Sequence, residues 1–98
     1  MQHYLAELYL PRGDRHAVPD IADGACRAAE HLTREGTPVR CLHAIFVPED
    51  ETCFLLFEAG SLEAVQAATN HAALECLRIV EAIQASRSAG PPAVEEIL

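Results

Sequence analysis

Ligand-type side chains recur in this 98-residue chain at His3, Glu7, Cys41, His43 and Glu58. Imidazole, carboxylate and thiolate are the groups that bind late first-row divalent metals, and nickel and copper stand high in the affinity order. Cys41 and His43 are two apart, so an extended segment turns both to one side, and the same parity groups His3 with Glu7. Together with Glu58 these residues form the metal set expected from the sequence: His43, Glu7, Cys41, Glu58 and His3.

Other chemistries find less support. Cys41 and His43 on one strand would stand about 6 to 7 Å apart, too far for a thiol and its base to touch. No G-x-S-x-G elbow is present, and the five glycines are isolated rather than clustered into a phosphate-binding loop. An enzyme would need a small-molecule pocket with Glu7 or His43 as proton-transfer group, and the catalytic residues stay unassigned. The remaining cysteines have plainer readings. Cys26 beside Ala25 and Ala29 reads as a small buried hydrophobe, Cys53 reads as core, and Cys76 has no assigned role. No C-x-x-C pair occurs, so all four are expected as free thiols. His16, His31 and His71 fall on loop or helix surfaces, where solvation is the default.

The elements that would position these groups follow from periodicity and breakers. Residues 3–10 are rich in Leu and Tyr and stop at Pro11, which predicts a strand. Ile21, Ala25, Ala28, Ala29 and Leu32 recur at helical spacing over 19–35, with Gly36 placed to end the helix. Val39 to Val47 and Thr52 to Glu58 flank Pro48-Glu49-Asp50-Glu51 and predict a hairpin. Ser61 caps a second helix carrying Leu62, Val65, Ala68, Thr69 and Ala72 on one face, and residues 78–85 make a last strand. Residues 1–85 are thus one domain, and 86–98 a flexible tail in which Val94 to Leu98 reads as disordered or as a short edge strand.

Strand, helix, strand, strand, helix, strand is the split β-α-β pattern of the ferredoxin-like α+β sandwich. Right-handed crossovers give an antiparallel sheet in the order 4-1-3-2 with both helices on one face. With the hairpin turn centred on Glu49-Asp50, Val47 faces Thr52, Ile45 faces Phe54, His43 faces Leu56 and Cys41 faces Glu58. Leu42, Ala44, Phe46, Cys53, Leu55 and Phe57 take the helix side. A solvated sheet face alternates cleanly with polar residues, yet Ile45, Val47, Phe54 and Leu56 are all apolar. The uncovered face therefore calls for a second copy packed sheet on sheet, a homodimer of the dimeric α/β-barrel type.

Composition narrows the partners. Fifteen acidic and seven basic residues give a net charge of -8, with no Lys at all. Such a chain repels nucleic acid and anionic lipid, and the absence of Lys fits the GC-rich codon usage of a bacterial source. No apolar run approaches the roughly 20 residues of a membrane span, and the start lacks a leader pattern, so a cytoplasmic protein is expected.

Several segments resemble, in order, a family of small bacterial nickel-binding proteins, most of which form a domain of unknown function. They are Tyr4-Leu5-Ala6-Glu7-Leu8-Tyr9-Leu10-Pro11, the run from Gly36 through Cys41-Leu42-His43-Ala44-Ile45-Phe46-Val47 to Phe54, Phe57-Glu58-Ala59-Gly60-Ser61, and Arg78-Ile79-Val80-Glu81. Leu77 departs from it where an acidic residue is common, and Glu75 stands in place of a Pro. The resemblance covers residues 3–85. It implies a dimeric ferredoxin-like fold and nickel held at the dimer surface for sequestration or detoxification, with Glu7 and His43 matching the family's Glu and His. The alternative expectation is a dimeric α/β-barrel enzyme or binding module acting on a small apolar metabolite.

Overall fold

The computed structural model describes residues 1–85. The tail expected at 86–98, with its candidate edge strand, lies outside the described residues. Strand β1 (Gln2–Tyr9) leads through a short 3-10 segment, Arg12–Ala17, into helix α1 (Val18–Arg34). Strands β2 (Val39–Val47) and β3 (Thr52–Ala59) form the hairpin, followed by helix α2 (Leu62–His71) and strand β4 (Arg78–Ala82). The antiparallel sheet runs β2-β3-β1-β4, which is 4-1-3-2 read from the other edge. This α+β arrangement is consistent with a ferredoxin-like fold. Among the described residues no helix is long and apolar enough to cross a membrane.

Parity divides the sheet. Tyr4, Ala6, Leu8 and Leu10 from the β1 segment and Cys53, Leu55, Phe57 and Ala59 from β3 are buried, and they meet Ala25 and Ala29 of α1 and Ala64, Val65 and Ala68 of α2. The many alanines suit close packing of both helices on the sheet, and Phe57, Leu55, Val39 and Val65 are among the largest side chains that are fully buried there. Each fully buried Leu or Phe contributes roughly 1.5 to 3 kcal/mol relative to exposure.

The hairpin departs from its expected form at two points. Pro48–Asp50 closes as a 3-10 turn with Glu51 left-handed at φ 49, a conformation held by Leu10 N–H donating to the Glu51 carbonyl oxygen at 3.0 Å. Val47, Ile45 and His43 pair with Thr52, Phe54 and Leu56 as expected. Between Cys41 and His43 the register then shifts, so that Cys41 pairs with Phe57 and Arg40 with Glu58. Leu42 is the extra residue of a β-bulge, and one extra residue reverses the face of everything beyond it. The expected Cys41–Glu58 pairing is therefore corrected: Cys41 turns to the helix side.

Both helices end in the same way. After α1, Thr37 N–H donates to the Leu32 carbonyl and Gly36 N–H to that of Thr33; after α2, Leu74 N–H donates to Thr69 and Ala73 N–H to Asn70. This is the paired closure that needs a left-handed residue just past the helix, which Gly36 supplies at φ 103 and Ala73 adopts at φ 59. A side chain there costs about 1 kcal/mol. Ala73→Gly is expected to raise, and Gly36→Ala to lower, the free energy of unfolding by about 1 kcal/mol each, read from urea midpoints at unchanged slope.

Candidate functional site

The side of the sheet opposite the helices carries cross-strand rows that follow directly from the register. Reading from β2 to β4, they are Arg40, Glu58, His3, Ala82; then His43, Leu56, Leu5, Val80; then Ile45, Phe54, Glu7, Arg78. A shorter row of Val47, Thr52 and Tyr9 completes the face. Its centre is apolar, and two of its large apolar members are plainly exposed, Ile45 at 59% and Tyr9 at 58%. Two ion pairs sit at opposite corners of this grid: the Arg78 guanidinium donates to Glu7 at 3.0 Å, and Arg40 donates to Glu58 at 3.2 Å. Both arginines are largely exposed, so each pair is worth about 0 to 1 kcal/mol.

The expected metal set is split by this geometry. His3, His43, Glu7 and Glu58 share the open face. His3 and Glu58 are direct cross-strand neighbours. Glu7 and His43 are not: β3 lies between their strands, and two strand spacings plus one row put their Cα atoms about 12 Å apart. Cys41 has left the face altogether through the bulge at Leu42. Among the described residues no group of three or more His, Cys, Asp or Glu could hold a metal ion. A single chain thus presents donors of the expected types without gathering them.

On the helix side the bulge creates a different grouping. Cys26 of α1 faces Cys41 of β2 across an open cleft of about 350 Å³ that Thr33, Arg34 and Arg40 also line. The Cys26 Sγ–H donates to the Cys41 carbonyl oxygen at 3.7 Å, which sets the Cys26 thiol beside Cys41. Burial, and after it the Cys26 thiol alongside, push the Cys41 thiol up from 9.0 to about 12. Burial also raises Cys53 and Cys76, the latter partly offset by a hydrogen bond with Thr69. Thr33 anchors the cleft's far end, its hydroxyl donating to the Val39 carbonyl at 2.8 Å and accepting from Val39 N–H at 3.0 Å.

From sequence, Cys26 reads as a small buried hydrophobe with no partner. Its spacing to Ala29 and Thr33 marks the stripe of α1 that faces β2, but only the bulge brings Cys41 to that stripe. A second unexpected pair joins the helices: the His31 and His71 rings stack with centroids 4.7 Å apart and planes within 9°.

No family model matches the chain, and no curated protein matches it significantly. Among solved structures it is similar to the crystal structure of SCO4226 from Streptomyces coelicolor A3(2), at 23% identity and a TM-score of 0.61, over 86% of this chain and 99% of that one. At that identity the likeness supports the fold.

Alkylation reports the protonation of Cys41 directly. At pH 8 the folded chain should modify Cys41 with iodoacetamide roughly 100-fold or more slowly than the urea-unfolded chain, because only thiolate reacts. The folded rate should keep rising above pH 9 toward about 12, where an unfolded cysteine has already levelled off. Peptide mass spectrometry resolves the site, and a plateau at pH 9 in the folded chain contradicts the protected thiol.

Proposed function

We propose that the chain works as a homodimer that binds a divalent transition metal, nickel foremost, through imidazole and carboxylate groups of the open sheet face. Sequestration or detoxification of the metal is the role that fits such a site. The observation that carries the reading is the open face itself: an uncovered apolar centre of Leu5, Phe54, Leu56 and Val80 bordered by His3, His43, Glu7 and Glu58. The resemblance of the sequence to nickel-binding proteins supports the same assignment.

The split ligand set is the reason a second copy matters. In a two-fold interface every residue occurs twice, so donors that one chain holds apart can be completed by the mate. Burying the apolar centre drives the association at about 25 cal/mol per Å² removed from water. His43 is exposed on the edge-side row, free to turn toward a partner, and imidazole suits nickel. Glu7 and Glu58 would exchange an arginine for the cation, a small loss where the ion pairs are exposed.

A second reading rests on the same apolar rows. Two apposed sheets would enclose a lining suited to a small apolar metabolite, with Glu7 or His43 as proton-transfer group. Metal analysis of protein purified without a histidine tag separates the two.

Two measurements test the proposal. Light scattering at micromolar concentration should give twice the chain mass of 10.6 kDa, and Ile45→Asp should return it to a monomer. Equilibrium dialysis with nickel should show binding weakened at least about tenfold by His43→Ala and by Glu7→Ala, the order of effect expected for groups at a metal site. The control His71→Ala should leave it unchanged. Nickel binding unaltered in both open-face variants excludes the site, and a monomer that binds nickel fully excludes the two-copy arrangement.

A further inference from the structure

The Cys26–Cys41 pair lies on the far side of the sheet from the proposed nickel face and plays no part in it. We propose that these two thiols form a second metal site, a two-thiolate clamp for a soft monovalent d10 cation of the copper(I) class, entered through the cleft between α1 and β2.

Geometry and ligand count choose the ion. Cys26 and Cys41 both line one open cleft of about 350 Å³, and the Cys26 thiol already donates to the backbone of Cys41. Thiolate sulfur suits soft cations such as copper(I) better than calcium or magnesium. A zinc site of the structural kind requires four ligands, and among the described residues no third His, Cys, Asp or Glu joins this pair. A d10 monovalent ion is satisfied by two sulfurs in a line, so a pair suffices.

The step balances without any electron transfer. One cation enters, the two S–H bonds break, two S–metal bonds form, and two protons leave to solvent. The resulting bis-thiolate centre carries one net negative charge. Arg34 of α1 lines the same cleft and opposes that charge, beside the carboxylate of Glu30, while the Arg40 guanidinium is paired with Glu58 on the other face.

The test uses the full chain under anaerobic reducing conditions, with copper(I) presented in competition with the chelator bathocuproine disulfonate. The expected result is one copper(I) per chain in the wild type and in Cys76→Ser. Cys26→Ala and Cys41→Ala should each lose roughly 100-fold or more in affinity, since disturbing even the groups that support ligands reaches that range. Cys26 is half-buried on a helix, so its alanine variant should remain folded even if that of Cys41 does not, as checked by a cooperative thermal transition. X-ray absorption of the copper-loaded wild type should count two sulfur neighbours. Copper retained at full affinity in Cys26→Ala overturns the proposal, as do a count of three or more sulfurs and recovery of a Cys26–Cys41 disulfide that excludes copper. His43→Ala should not alter copper binding, so failure of the nickel reading and failure of this one are separable.

Discussion

Both helices are committed to the same side of a four-stranded sheet, and every other property of the molecule descends from that packing. Phe57, Leu55 and Cys53 from β3 and Ala6 and Leu8 from β1 reach zero or near-zero exposure only because alanine stripes on α1 and α2 settle close above them. A chain of this size buries about two-thirds of its unfolded surface, and most of that burial is on this side. Nothing among the described residues remains to cover the other. The open face keeps large apolar side chains at its centre and places charge at its margins, where Arg78–Glu7 and Arg40–Glu58 bridge neighbouring strands.

The bulge at Leu42 sorts the chemistry between the two faces. Strand alternation alone would have put Cys41, His43, Glu7 and Glu58 on one surface, a mixed set of hard and soft donors. The inserted residue sends the sulfur inward to Cys26 and leaves imidazole and carboxylate outside. The two surfaces now differ in what they present: nitrogen and oxygen donors spread over the open face, against Cys26 and Cys41 side by side beneath a helix. The environments differ as well, since the inner thiol is driven toward its neutral form by burial while the outer carboxylates stay paired with arginine.

Much of this was legible in the order of residues. Helix and strand types, the Ser61 cap that accepts from Ala64 N–H at 3.2 Å, the role of Gly36 and the burial parity of β1 and β3 all follow from local pattern. These features depend on neighbours within one turn or one strand, where side-chain spacing and backbone preference act directly. The open-face placement of His43, Glu7, His3 and Glu58 was readable for the same reason.

What tertiary structure alone decided is where distant segments meet. The bulge at Leu42 carries no marker such as glycine or proline, because it arises from fitting β2 to β3 at both ends at once. Ala73 takes a left-handed conformation that its side chain disfavours because the chain must leave α2 for β4. The Cys26–Cys41 and His31–His71 pairs join residues 15 and 40 apart in the chain, and no local period encodes such encounters. The sequence by itself determined the elements and which side of most strands is apolar. Only packing and register, set by the whole sheet and both helices together, determined which reactive side chains became neighbours.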